Sequence, residues 1–396
     1  MFSNKSGVFV WVSMMSVAVV LLLFGGCSVA PRYEASQILQ RAGVVDAIVF
    51  ECGDAVDIAV DVPETLTLQE AIRRALVCDP ELQAAINRVR IAEAEANQAR
   101  LLPNPILSMA FRFPEGSLKP VVVVDLAAEL IAVLQMPGRV SAADSRLRST
   151  VADAVSTVLD LIAEMEEHYL AVQMIDALLP ILQERVELVE DEEMEKLELA
   201  IELRERQLEQ TQAQLAIARL IGQPSRDINW KVEPWQKPAK VTESEAAWVA
   251  AALAHRPEIE SLRWELTALG AERRLANFSP FEAVEVGAAA ERGDKWDRGP
   301  AFTAPIPIFD WGQSQRARAA VAEAEARNNL LQAQRQVVQE VREAYAAVQA
   351  FTEVAELASE ADQELLAVRE KVIDLEHKAL VALSKLRRAV GGAEKK

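Results

Sequence analysis

The sequence predicts a mainly α-helical chain with a small β part, laid out as two copies of one plan. Three observations carry that prediction. First, blocks of the chain match one another at a constant separation. Ala75-Leu76 and Asp79-Pro80-Glu81-Leu82 match Ala252-Leu253 and Arg256-Pro257-Glu258-Ile259; Pro103 matches Pro280; Tyr169-Leu170-Ala171-Val172-Gln173 matches Tyr345-Ala346-Ala347-Val348-Gln349. The separations are 177, 177 and 176 residues, and a chance motif does not hold its spacing over such a stretch. Second, apolar residues recur every three or four positions through long segments, the spacing of helix packed on helix. Third, four short segments alternate apolar and polar residues with period two, the signature of strands.

The chain opens with Lys5, an apolar run from Val8 to Phe24, then Gly25-Gly26-Cys27. A positive start, a greasy stretch and small residues make a secretory signal. The run has 17 residues, short of the ~20 that a spanning helix needs. Cys27 therefore reads as the lipid-modified first residue of a mature bacterial lipoprotein. An ordinary signal beside an unrelated cysteine, or an N-terminal anchor, fits the same pattern. Ser28 stands where an aspartate would suggest inner-membrane retention, which points to the outer membrane. The divisions that follow are residues 1–26 as signal peptide, 27–65 as N-terminal tail, 66–222 as first repeat, 223–240 as linker and 241–392 as second repeat. Pro224, Pro234 and Pro238 keep the linker from being one regular element.

Each repeat starts with a capped helix, Thr67 before Glu70 in the first and Thr242 before Glu245 in the second. A second helix begins at Pro80 or Pro257, where proline suits the first turn. The long helices that come later carry near-heptad seams. Val151, Val155, Val158, Ile162, Met165, Tyr169 and Val172 begin the first, continued by Ile175, Leu179, Leu182, Val186 and Val189. Leu330, Ala333, Val337, Val341, Ala344, Val348, Phe351 and Ala355 make the second. Both are core stripes of coiled-coil helical hairpins and name no ligand. Pro180 falls inside the first seam and predicts a kink or break, since an interior proline costs ~3 kcal/mol.

The expected strands are Ile106–Phe113 and Val121–Val133 in the first repeat, and Phe281–Glu291 and Phe302–Phe309 in the second. Leu107, Met109, Phe111 and Phe113 share one face, with Ser108, Ala110 and Arg112 opposite. Val122, Val124, Leu126 and Leu130 share a face, with Asp125 and Glu129 opposite. A soluble sandwich is one reading. A membrane-crossing sheet alternates in the same way, lipid on one side and water on the other. Four strands cannot close a barrel, and an open edge in lipid leaves backbone groups unpaired at several kcal/mol each. If these strands enter a membrane, several copies must share one barrel, and three copies give twelve strands.

Composition narrows the function further. The net charge is −18, which argues against nucleic acid, whose binding needs a basic face. His168, His255 and His377 show no metal-ligand spacing, so no metal or cofactor is assigned. No nucleophile-base or paired-carboxylate pattern marks a catalytic residue. Cys52 and Cys78 are candidates to pair in an oxidising periplasm.

Four stretches resemble the outer-membrane efflux proteins, the TolC-like family, in its lipoprotein branch. They are Gly26-Cys27 with Pro31 and Tyr33, "LTLQEAIRRALVCDPEL" at 66–82, "ANQARLLPNPILS" at 96–108 and "GPAFTAPIPIFDWGQSQRARA" at 299–319. The resemblance implies a homotrimer whose protomers each give four strands to a twelve-stranded membrane β-barrel and helices to a periplasmic tunnel. It implies an exit duct of a tripartite efflux pump, working with a periplasmic adaptor and an inner-membrane transporter, with no enzyme chemistry of its own. "LQMPGRVSAADSRL" resembles the metal-efflux subset, so the cargo is small solutes or metal cations. The hairpin turns depart from the family: "ELVEDEEMEKLELA" and "ASEADQELLAVREKVIDLEHKALVAL" lack the usual glycine. That departure motivates an alternative, a structural periplasmic coiled-coil lipoprotein of the same fold that conducts nothing.

The acidic candidates follow. Glu190, Asp191, Glu192 and Glu193 sit at a hairpin tip, where three copies would ring the mouth of a tunnel and favour cations; a charged turn in water explains them as well. Asp125 and Glu129 suit a lumen wall. Phe309 and Trp311 suit either a membrane-interface girdle or the core. The N-terminal reading has a direct check: intact mass of the wild-type protein should show lipid on Cys27, absent in Cys27→Ala, and an unmodified wild-type Cys27 ends that reading.

Overall fold

The computed structural model describes residues 35–42, 56–57, 61–113, 120–189, 193–238, 241–292, 295–360 and 366–391. The signal segment, Cys27, Cys52, Glu190, Asp191 and Glu192 lie outside them. Helix α1 is Ala35–Arg41, and a short strand β1, Thr65–Leu66, leads into α2, Leu68–Cys78, and α3, Pro80–Ala99. Strands β2, Ile106–Arg112, and β3, Val121–Glu129, precede two helices, α4, Leu130–Leu188, and α5, Glu193–Leu220. After β4, Lys231–Val232, the order repeats: α6, Glu245–His255; α7, Pro257–Leu275; β5, Glu285–Arg292; β6, Trp296–Thr303; α8, Gln313–Glu360; α9, Leu366–Ala389. The chain forms two compact units. One gathers 92–147 and 267–323; the other gathers 33–91, 148–266 and 324–396. Each draws on both halves of the sequence.

Local chemistry explains most boundaries. Thr67 is extended, and its Oγ1 accepts the backbone N–H of Glu70 at 3.1 Å. Glu70 does not close the capping box: its carboxylate accepts from Arg74 at 2.7 Å and Arg73 at 3.0 Å instead. In the second half the cap is Ser244, not Thr242; its Oγ accepts the Ala247 N–H at 3.4 Å. The helix starts later because Ser244 is the residue held extended immediately before Glu245. Pro80 and Pro257 each open a helix, as expected of a residue without an N–H to satisfy. Gly222 and Gly391 follow α5 and α9 with φ of 77° and 75°, the left-handed stop that glycine takes without a Cβ clash.

Pro180 does not break its helix. α4 runs through it without interruption. The proline is exposed while Leu178, Ile181 and Leu182 beside it are buried. A helix tends to be convex toward solvent, where its bonds are already long, so the lost hydrogen bond falls on the side that tolerates it. The packed face holds the rest.

In the larger unit the predicted seams are the core. Val151, Val158, Met165, Tyr169, Val172, Ile175 and Leu182 on α4 are almost fully buried. Val337 and Val341 of α8 pack with Ala252 and Ile259 and with Leu386 and Ala389 of α9. Burying each such large side chain contributes ~1.5–3 kcal/mol. A polar pin crosses this core. β1 and β4 pair in parallel, Leu66 opposite Val232. The buried Tyr169 hydroxyl donates to Leu66 O at 2.8 Å and accepts the Glu233 N–H at 2.9 Å. Gln173 Nε2 donates to Glu233 O at 2.8 Å. The linker is thereby tied to α4.

Burial pushes the Tyr169 phenol up to about 12; the hydrogen bond from the Glu233 backbone N–H works against the rise and the Glu233 carboxylate adds to it. A raised folded value means the contribution is present below the unfolded value of ~10 and is lost as pH rises through about 12. Tyr169→Phe leaves a buried donor and acceptor unmet and should cost about 1–3 kcal/mol at neutral pH. Denaturant unfolding should read that loss, with the gap to wild type narrowing between pH ~10 and ~12. An unchanged midpoint at neutral pH would mean the pin is idle.

Candidate membrane-facing sheet

The smaller unit holds one antiparallel sheet in the order β2-β3-β5-β6. Its register sets which side chains share a face, because directly paired residues point the same way. Leu107 faces Leu126, Met109 faces Val124 and Phe111 faces Val122. Val124 then faces Ala290 and Leu126 faces Ala288. Ala288 faces Pro300 and Val286 faces Phe302. One face is thus apolar across all four strands in the row Leu107-Leu126-Ala288-Pro300, and its rows nearer the hairpin end take in Arg298 and Arg292. It is also open: Leu107 is 62% exposed and Phe302 68% exposed. At the hairpin end this face carries Arg292, Arg298 and Trp296, with the Arg292 guanidinium 5.7 Å over the Trp296 ring.

The other face is small and acidic. Asp125 pairs with Ser108 and Ala289, as the alternation predicted for it. Glu129 stands directly opposite Glu285, and Glu291 opposite Asp297. Like charges directly opposite destabilise a sheet, so both pairs need water or counter-cations beside them. Glu285, Glu291 and Asp297 belong to the same acidic row as Asp125 and Glu129, and the sequence reading missed them. The period-two spacing of Glu285, Gly287, Ala289 and Glu291 was the signal for the first two. Glu193 is the first residue of α5 and lies in the other compact unit.

Three expected strand boundaries are corrected. The second strand ends at Glu129 and Leu130 already starts α4, its N–H bonded to Val284 O at 3.0 Å. The third begins at Glu285, because residues Ala276–Phe281 form a 3-10 turn around Pro280. The fourth is Trp296–Thr303, and residues 304–312 carry no strand. Pro305 and Pro307 lack the N–H a ladder needs, so the pairing slides back to a segment with Pro300 alone, in a strand at the sheet's edge. Core packing is excluded for Phe309, 91% exposed, and Trp311 is exposed as well.

Within the described residues the sheet has two outer edges, β2 and β6. The nine-residue β3 runs about 30 Å at ~3.4 Å per residue, near the ~25 Å apolar band of a membrane barrel. No described helix is long and apolar enough to cross a membrane. No group of three or more His, Cys, Asp or Glu among the described residues could hold a metal ion.

No protein-family model matches the chain, and no curated protein matches it. Solved structures do. MtrE, an outer-membrane channel of Neisseria gonorrhoeae in its open state, is 15% identical over 92% of this chain and 98% of its own, with a TM-score of 0.63. CusC, studied for the conformational changes of folding and transmembrane channel formation, is 16% identical over 92% and 99%, also at 0.63. VceC, an outer-membrane protein of Vibrio cholerae, is 19% identical over 82% and 96%, at 0.61. At these identities the likeness establishes the fold, a TolC-like outer-membrane factor fold, as the sequence resemblance implied.

Gly287 leaves no room for a side chain. A Cβ there would lie 1.9 Å from Leu126 O and 2.9 Å from Ala127 Cα. Gly287→Ala should force β5 from β3 and cost about 1–3 kcal/mol, as overpacking does. Thermal melting followed by the circular-dichroism signal of the strands measures it, and an unshifted transition would show that the approach relaxes freely.

Proposed function

We propose that the chain is one protomer of an outer-membrane channel, the passive exit duct of a tripartite efflux pump. One observation carries the proposal: a four-stranded sheet that is greasy on one face, acidic on the other and open at both edges. In water the apolar face is a large exposed patch and the edges are templates for aggregation. In lipid the face is satisfied, but the edges are not, since nothing in the hydrocarbon region bonds to a bare strand. Only neighbouring strands remove that cost. A single copy is below the eight strands of the smallest membrane barrels. Three copies, edge to edge, make twelve.

That arrangement turns the apolar face to lipid and the acidic face to a water-filled lumen. Asp125, Glu129, Glu285, Glu291 and Asp297 then line the wall, where water relieves the opposed pairs. The same wall favours cations over anions, which suits small cationic solutes or metal cations as cargo. Ile306, Ile308, Phe309 and Trp311 follow β6 and suit the membrane interface, where aromatic girdles gather. A lipid on Cys27 adds an anchor in the outer membrane. A periplasmic adaptor and an inner-membrane transporter supply docking and energy in this reading. The known channels that share the fold support this reading.

Purified in detergent, the full chain should have the native mass of three copies and conduct in planar bilayers. A monomer, or a silent trimer, overturns the duct. Asp125→Asn with Glu129→Gln and Glu285→Gln should keep conductance and lower the cation-to-anion permeability ratio several-fold. An unchanged ratio removes the acidic face from the lumen.

A further inference from the structure

The apolar face of the sheet carries charge at one end only. Among the described strand residues on that face, Arg292 and Arg298 alone are charged. Both stand toward the β5–β6 hairpin, and both are exposed. At the far end of the same face Val286 meets Phe302. The carboxylates of these two strands, Glu285, Glu291 and Asp297, alternate onto the other face. The Arg292 guanidinium lies 5.7 Å over the Trp296 ring. An aromatic face attracts a cation but leaves its charge in place.

Arg298 stands two residues past Trp296, the direct partner of Arg292, so the two arginines are diagonal neighbours ~7–8 Å apart. Ala290, directly opposite Arg298, fills little of the space between them. Two forked side chains at that spacing can close on one anion. Their depth is set by the strand. Arg298 lies ~7 Å from the last rung, within the reach of a long side chain that snorkels toward water. The end of the sheet is set as well. β3 passes into α4 at Leu130, beside Val284, so the helices leave from the end away from the hairpin. With periplasmic helices, the hairpin end lies in the outer leaflet. An arginine that faces lipid is costly in hydrocarbon and nearly free at the interface, and two side by side repel. A phosphate removes both penalties, because each guanidinium donates paired N–H bonds to its oxygens. Trp296 supplies the amphipathic ring that suits the same depth. The outer leaflet of an outer membrane is built of phosphorylated glycolipid.

We infer that Arg292 and Arg298, beside Trp296, bind the phosphate of an outer-leaflet glycolipid on the outer wall of the barrel, one per copy. The site rests on the channel reading above and adds a ligand on the lipid side, away from the lumen.

The test uses the full chain in detergent, with native mass spectra recorded against diphosphorylated lipid A, the same lipid stripped of phosphate, and phosphatidylglycerol. Inorganic phosphate serves as competitor. A trimer that retains one diphosphorylated lipid A per copy is expected. Arg292→Gln with Arg298→Gln should weaken that binding about tenfold or more. Arg292→Lys with Arg298→Lys keeps the charge, loses the fork and should fall between the two; it carries the test if the glutamine pair does not assemble. Arg112→Gln, on the opposite face, should change nothing. A trimeric glutamine variant that binds lipid A as well as wild type overturns the site and leaves the channel standing. Equal binding of the stripped lipid or of phosphatidylglycerol overturns it too, as does displacement by inorganic phosphate, which would assign the arginines to a free anion. A monomeric mass removes the channel reading and this site with it.

Discussion

The backbone hydrogen bond at a sheet edge governs this molecule. Among the described residues β2 and β6 each pair on one side only, and their outer N–H and C=O groups are committed to whatever lies beyond. Apolar side chains make water a poor neighbour for the sheet; unpaired backbone makes lipid a poor one. Neither solvent suits a lone copy. In the proposed channel, further strands of the same kind resolve the conflict.

In the larger unit the joints between helices are closed by ion pairs and by buried valines and leucines. Arg256 is buried between Glu258, 3.2 Å, and Glu340, 2.5 Å. Burial works to raise the Glu340 carboxyl, but hydrogen bonds from Arg256 and Gln336 outweigh it and hold it below the usual range. His377, beside Trp235, is pushed down by burial and stays neutral more readily. The Arg256–Glu340 pair and Tyr169 hold helices and linker in register. On α5, Ile201, Leu208 and Leu215 stay exposed among the described residues.

The candidate site was only partly legible in the sequence. Asp125 and Glu129 could be placed on one face because β3 alternates cleanly. The opposed pair Glu129–Glu285 could not, because its register joins segments more than 150 residues apart in sequence; Glu291–Asp297 could not, because the fourth strand was expected at Phe302–Phe309 and forms at Trp296–Thr303. Pro305 and Pro307 were visible, yet the slide of β6 onto the expected turn depends on what β5 offers as a partner. Pro180 misled for a related reason: a proline penalty depends on which side of the helix it occupies, and only packing sets the side.

What the sequence determined by itself was periodicity and punctuation. The repeat, the seams from Val151 and Leu330, the helix starts at Pro80 and Pro257, and the apolar alternation of β2 and β3 are all local patterns, written in spacings of two, three and four residues. Tertiary structure decided the rest. It set the order β2-β3-β5-β6, gathered the acidic row from both halves of the chain, tied the linker to Tyr169 and left Ile201, Leu208 and Leu215 of α5 exposed. Those outcomes rest on contacts between distant segments, and the energy of such a contact belongs to a pair and cannot be read from either partner alone.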